Sequence, residues 1–211
     1  MIYIGIDPSF SSTGAAYLDT SLKQIKLVRI QPEGTNETYK DALFRSASIA
    51  LSVLEHANIK EEIRLILEEP LMTSLKASRL GLLSGVLAFS LASIPTIKTM
   101  YSVNPNYISS LNKSIVERKG IDKKKASSFV AEKILEYLES IGFSIIVYNE
   151  KKDKRGNMKQ RKMSHDEAEA LILLVTMLRA ENLVDSNFLL KLVSINRGFA
   201  KEANVIKFKG A

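Results

Sequence analysis

The chain has no cysteine and no tryptophan among its 211 residues, and only two histidines, His56 and His165. Without thiols there is no disulfide framework, no thiolate nucleophile and no Cys-ligated zinc or iron–sulfur site. Two histidines are too few for a His-rich site, so any metal chemistry must rest on carboxylate oxygens, which suit Mg²⁺ or Mn²⁺. Five prolines and ten glycines exclude collagen-like and low-complexity classes. Uninterrupted apolar stretches are also lacking. The longest, residues 80–97 (LGLLSGVLAFSLASIPTI), is broken by Ser and Gly before Pro95 and follows Lys76 and Arg79. That pattern suits a buried helix feeding a strand better than a membrane span. The opening MIYIGIDPSF carries no basic stretch and meets a charge at Asp7, unlike a secretory signal. A soluble, cytoplasmic protein with no membrane partner is expected.

What is present is a core and a localised charge. With 45% hydrophobic and 25% charged residues the chain can bury one sizeable core. The net charge is +7, and its distribution says more than its size. Residues 98–162 hold fifteen Lys or Arg against seven Asp or Glu, whereas the rest of the chain holds fifteen against sixteen. The surplus positive charge therefore lies in one contiguous third, as on a polyanion-binding surface. A merely basic soluble protein is the plainer alternative.

Periodicity suggests an α/β domain. Residues 2–6 (IYIGI) form a short apolar run ended by Asp-Pro, which reads as a buried strand. After a Ser-rich turn, residues 14–18 and 24–30 read as a second and third strand, giving an antiparallel meander. An amphipathic helix is expected over residues 39–57, with Leu43, Ala47, Ala50, Leu51 and Leu54 as its apolar positions. A fourth strand over 63–67 runs into Glu68-Glu69-Pro70, a helix follows over 76–93, and a fifth strand over 96–103. Further on come a helix over 123–140, an apolar run over 143–148 and a charged stretch over 151–162 (KKDKRGNMKQRK). A strongly apolar helix starts near Ser164, then a short helix over 187–194 and a basic tail. No internal repeat or Pro-rich linker divides the chain. Residues 1–180 are read as the working domain, and 181–211 as a C-terminal extension of it.

Carboxylates fall where elements end. Asp7 and Glu68 each close an apolar strand, where a charge is costly without a partner. Asp166 and Glu169 lie three apart at the start of the last long helix and so share a face. Adjacent first and fourth strands would bring Asp7 and Glu68 within side-chain reach. A cluster of this kind repels itself unless divalent cations neutralise it. Each position also has a plainer reading. Asp7-Pro8 is a common turn opening, and an acid in a first helical turn complements the backbone dipole. Ser164 and Glu167 have the spacing of a capping box. Glu69 would face the other side of the sheet from Glu68.

Taken in order, these segments resemble the motifs of the RuvC-like Holliday junction resolvases of the ribonuclease H-like superfamily. IGIDPSFSSTG resembles the first-strand pattern, with Asp7 in the catalytic place, and LILEEP resembles the fourth strand that ends in the second acid, Glu68. RLGLLSGVLAFSL resembles the small-residue helix that follows. VNPNYISSLNKSIVERKGIDKKKA resembles the Pro-containing strand exit and the Gly-then-Lys stretch that faces DNA. HDEAEALILL resembles the closing helix with its two acids. The match runs over residues 2–178. It departs from the family in ending on Glu169 where Asp is usual, in Pro70, and in Leu71 and Met72 where bacterial members carry an aromatic. The basic insertion at 151–162 and the C-terminal extension also differ, which points to a divergent, phage-type member.

The resemblance implies a mixed five-stranded sheet, three antiparallel strands then two parallel, flanked by helices. It implies a magnesium-dependent endonuclease of a bacterial cell or phage-infected host that resolves four-way junctions by paired nicks. Asp7, Glu68, Asp166 and Glu169 would be both catalytic and metal-binding, holding two Mg²⁺ (or Mn²⁺) ions about 4 Å apart. His165 is an auxiliary candidate for proton transfer or phosphate contact, set against the plainer reading of a surface histidine beside a helix cap. Branched DNA would be held by Lys76, Arg79, Lys123, Lys124, Lys125, Lys151, Lys152, Lys154 and Arg155. Cutting two opposed strands implies a homodimer, with the apolar helix from Leu80 as its candidate face. Three other readings share part of the pattern: a broader flap or fork nuclease, a non-catalytic junction-binding module, and an actin-like ATPase. The last would need a second phosphate loop and an adenosine-binding glycine pair, neither of which is found.

Overall fold

The computed structural model describes residues 1–31, 38–69, 75–104, 106–122, 125–147, 162–185, 188–192 and 205–209. Its organising element is β1 (Ile2–Asp7), every residue of which is buried. A strand covered on both faces reads as a continuous apolar run rather than an alternation, and IYIGI is such a run. β1 pairs antiparallel with β2 (Thr13–Asp19) and parallel with β4 (Ile63–Glu68). β2 pairs antiparallel with β3 (Gln24–Ile30), and β4 pairs parallel with β5 (Ile97–Val103). These are the three antiparallel and two parallel strands expected.

The sheet is larger than five strands. β6 (Ser144–Val147) adds to β3 in parallel, and β7 (Val205–Lys209) adds to β5 antiparallel. The order is β6-β3-β2-β1-β4-β5-β7. Both additions are short edge strands. β7 lies in the segment that the sequence presented only as a basic tail.

Two helical layers cover the sheet. On one face lie α1 (Tyr39–His56) and α2 (Leu75–Ala92), packed with Ile4, Ile6, Leu65 and Leu67. On the other lie α3 (Asn106–Lys119), α4 (Ala126–Ser140) and α5 (His165–Ala180), packed with Tyr3, Ile66 and Val103, followed by the short α6 (Phe188–Leu192). α3 occupies a segment that the resemblance gave as a Pro-containing strand exit leading to a Gly-then-Lys stretch. No helix among the described residues is long and apolar enough to cross a membrane.

The face of α1 also differs from expectation. Leu43, Ala47 and Leu51 are exposed, and of the five expected positions only Ala50 is fully buried. The inward face is instead Ala42, Arg45, Ser46, Ile49, Ala50 and Val53. Two polar residues sit inside because each has a partner there. Ser46 Oγ donates to the Ala42 carbonyl at 2.7 Å and stands 3.0 Å from that of Leu83, while the Arg45 guanidinium donates to the Phe10 carbonyl. α2 buries Leu83, Leu87 and Leu91 against this layer, while Phe89 on the same helix is exposed.

α5 is apolar all round because it is enclosed all round, by β1, β2 and β4 on one side and α4 on the other. Its approach to the sheet depends on two glycines. A Cβ at Gly5 would clash with the Ala170 carbonyl and stand 2.7 Å from Leu174 N. One at Gly14 would clash with the Asp166 carbonyl and stand 2.7 Å from Glu167 N. All four of these are helix backbone atoms, which cannot move aside as a flexible side chain could.

Gly14→Ala should therefore destabilise the fold by roughly 1–3 kcal/mol in urea unfolding, because the helix must lift to admit the methyl. Gly85→Ala, at an exposed position of α2 with nothing within 4 Å of the new methyl, should stabilise by about 0.5–1 kcal/mol. Equal midpoints for the two variants would show that the close approach does not constrain the chain.

Candidate functional site

The first and fourth strands end side by side. Ile6 is in register with Leu67, so Asp7 and Glu68 follow at neighbouring strand ends. Along each strand, alternation puts Asp7 on the face of Tyr3 and Gly5, and Glu68 on that of Ile66, which is the face that α5 covers. Asp7 is also in register with Gly14, the residue against which the Asp166 backbone packs. The hairpin, the parallel strand pair and the first turn of α5 thus converge on one end of the sheet.

That first turn is fixed by a capping box. Ser164 Oγ accepts from Glu167 N at 3.3 Å, and Glu167 Oε2 accepts from Ser164 N at 2.7 Å. Glu167 is fully buried in this structural task. The turn is thereby set with Asp166 and Glu169 on the side facing the strand ends.

The two helix acids are held, each by a single oxygen. Asp166 Oδ2 accepts from Ser12 Oγ and lies 3.8 Å from Arg29 Nε. Glu169 Oε1 accepts from Ser127 Oγ at 2.9 Å and lies 3.3 Å from His165 Nε2. The two strand acids are not held: among the described residues, Asp7 and Glu68 have neither a cationic partner nor a hydrogen-bond donor. Asp7 is only 8% exposed. Burial raises its carboxyl well above the usual range, and the charges of Glu169, Glu68 and Asp166 push it the same way. Glu68 is pushed up to about 8, by burial first and by Glu169 second. Asp7 thus feels the charges of all three other acids, and Glu68 that of Glu169.

Four carboxylates and no thiol make a donor set of hard oxygens, which fits Mg²⁺ or Mn²⁺. Of the four, Asp7 is buried and Glu68 half-buried, and neither is compensated, the condition that a divalent ion relieves. As they stand, no group of three or more Asp, Glu or His side chains among the described residues is drawn close enough to hold one ion. The two helix acids have other partners, Asp166 in Ser12 and in Arg29 of β3, and Glu169 in Ser127 of α4.

His165 is half-exposed, with its ring against Glu169. Glu69 turns to the opposite face, where Ser102 Oγ donates to it at 2.5 Å. Of the basic positions, Lys125 is exposed at the start of α4 and Arg79 is half-buried on α2. Lys76 lies in the first turn of α2, and its side chain is outside the described residues, as are Lys123, Lys124, Lys151, Lys152, Lys154 and Arg155. The sequence reading missed Ser12, Arg29, Asn112 and Ser127. Of these, Arg29 carried a usable signal. Asp7, Gly14 and Arg29 form one cross-strand row, which counting the register of the meander would have exposed.

The fold and this end of the sheet define the class: an α/β protein with a RuvC-like, ribonuclease H-like fold. Among solved structures, RuvC of Thermus thermophilus superposes with a TM-score of 0.51 at 17% identity, covering 86% of this chain and 96% of that one. A second structure, T. thermophilus RuvC in complex with Holliday junction substrate, gives a TM-score of 0.49 at 16% identity, with the same coverage. No protein-family model and no curated protein sequence matches the chain.

The raised carboxyls make a stability prediction with a definite sign. A group whose folded pKa exceeds its unfolded value contributes stability below the unfolded value, and loses it as pH rises through the folded one. For Glu68 that window runs from about 4.5 to about 8. In chelator, the wild-type protein should lose roughly 1–3 kcal/mol, several degrees in Tm, between pH 5 and pH 8.5. Glu68→Gln should lose less over the same range. Identical Tm-against-pH curves for the two proteins would refute the assignment.

Proposed function

We propose that this chain is a divalent-metal-dependent, structure-selective endodeoxyribonuclease that resolves four-way DNA junctions by paired nicks. The observation that carries the reading is the buried Asp7 carboxyl, without a described partner and pushed up by the charges of Glu68, Asp166 and Glu169 from two chain-distant segments. The RuvC-like fold and the order of the motifs support it.

In this reading Asp7, Glu68, Asp166 and Glu169 hold magnesium, with Mn²⁺ as a substitute. Bound there, divalent cations would supply a nucleophile at neutral pH and offset the charge that builds on the leaving 3′ oxygen. Asp7 and Glu68 are fixed by the strand ends and contribute the least movable oxygens. Ser12 and Arg29 orient Asp166 through one oxygen and leave the other open. His165, half-exposed beside Glu169, is placed to meet the phosphate or to pass a proton to solvent. The basic third of the chain, with Lys123, Lys124, Lys125, Lys151, Lys152, Lys154 and Arg155, tracks the DNA backbone, joined by Lys76 and Arg79 from α2. Such contacts position DNA without reading its sequence, so affinity falls steeply with salt. A homodimer supplies the two centres that two opposed nicks require.

Four-way, three-way, flap and duplex DNAs incubated with the protein and Mg²⁺ test the proposal. Paired nicks in the four-way junction are expected, with chelator abolishing them. Asp7→Asn should lose more than the roughly 10–100-fold typical of an outer partner, down to the assay floor, with junction affinity unchanged. Cleavage by Asp7→Asn at the wild-type rate, or the absence of Mg²⁺-dependent cleavage of any branched DNA, would overturn it. Flap cleavage equal to junction cleavage would replace the junction with branched DNA at large.

A further inference from the structure

Two buried polar side chains sit in the apolar layer between α3, α4 and α5. Ser127 on α4 is fully buried, and Asn112 on α3 is 7% exposed. Around them lie Ile108, Leu111, Ala126 and Val130. Apolar residues would fill this space without the cost of burying an amide and a hydroxyl. What the pair does instead is reach Glu169. Ser127 Oγ donates to Glu169 Oε1 at 2.9 Å, Asn112 Nδ2 donates to Ser127 Oγ at 2.7 Å, and the same Nδ2 stands 3.4 Å from Oε1.

The direction of these bonds follows from proton counting. A serine hydroxyl has one proton, and an ionised carboxylate can only accept, so that proton goes to Glu169. The hydroxyl is then an acceptor toward α3, which fixes the amide with nitrogen facing it. Asn112 Oδ1 is left buried with no hydrogen-bond partner. An acceptor abandoned in an apolar layer is a stability loss accepted for the sake of the other end of the amide.

We propose that Asn112 and Ser127 are positioning residues that lock Glu169 by Oε1 and thereby present Oε2 alone to the metal. Every described contact to this carboxylate falls on Oε1: Ser127, Asn112 and His165. Glutamate has one more rotatable bond than aspartate, so a ligand of this length loses more freedom when it binds. A preformed anchor removes that loss before the ion arrives. The inference rests on the nuclease reading above.

Mn²⁺ titrated by calorimetry into the full-length protein provides the test, with thermal melts in parallel. Ser127→Ala should weaken Mn²⁺ binding about tenfold, the range for an outer partner of a metal ligand. It should produce no further weakening in a Glu169→Gln background. Asn112→Leu, which removes the unpaired acceptor at similar volume, should also weaken Mn²⁺ binding while Tm holds or rises. It carries the test if Ser127→Ala does not fold. A merely structural role would lower Tm with Mn²⁺ affinity intact. Wild-type affinity in both variants, or equal weakening by Ser127→Ala with and without Glu169, overturns the inference and leaves the nuclease reading standing. Wild-type protein that binds no Mn²⁺ removes that reading, and this inference with it.

Discussion

The whole arrangement hangs on the distance at which α5 crosses the sheet. Backbone meets backbone there, at Gly5 against Ala170 and Leu174, and at Gly14 against Asp166 and Glu167. Any side chain at either glycine would hold the helix off. The first turn of α5 would then pass above the strand ends, with its acids separated from Asp7. At the opposite end of the helix, Glu181 accepts from Arg64 on β4 and from Tyr101 on β5. The helix is thus fixed at both ends, and its fully apolar surface fills the space between. A helix buried all round has no freedom to rotate a polar face outward, so its one acidic turn goes where the packing sends it.

The electrostatics run against stability and toward function. Asp7, buried, and Glu68, half-buried, face like charges without described partners, and both resist ionisation. The helix acids are treated differently, each with one oxygen satisfied by protein donors. The cluster therefore combines unsatisfied charge on rigid strands with oriented charge on a capped helix turn. Perturbed carboxyls that no structural partner explains mark a working site more often than a scaffold.

Much of this was legible in the sequence, and the reasons are physical. Strands buried on both faces give apolar runs, so β1, β4 and β5 stood out, and the acids ending two of them were conspicuous as charges in apolar surroundings. The capping box at Ser164 and Glu167 fixed the start of α5. The failures have causes too. β6 and β7 are short edge strands whose partners lie far away in the chain, so the apolar run at 143–148 does not by itself declare β6 a strand, and the basic tail does not announce β7. α1 carries apolar residues on two stripes, and which one faces inward is decided by Phe10 and Leu83, distant partners that satisfy Arg45 and Ser46. α3 does show helical spacing at Tyr107, Ile108, Leu111 and Ile115, but its opening beside Pro105 was read as a strand exit. Asn112 and Ser127 belong to different helices and meet each other beside Glu169, a relation that no spacing rule encodes.

The central claim is that α5 and the ends of β1 and β4 form one site for divalent metal. Anomalous diffraction from crystals equilibrated with Mn²⁺ tests it most directly. The account predicts manganese density bounded by Asp7, Glu68, Asp166 and Glu169, with the free oxygens of the two helix acids turned toward it. Saturating Mn²⁺ that leaves this end of the sheet empty, or density found only elsewhere on the protein, would contradict it.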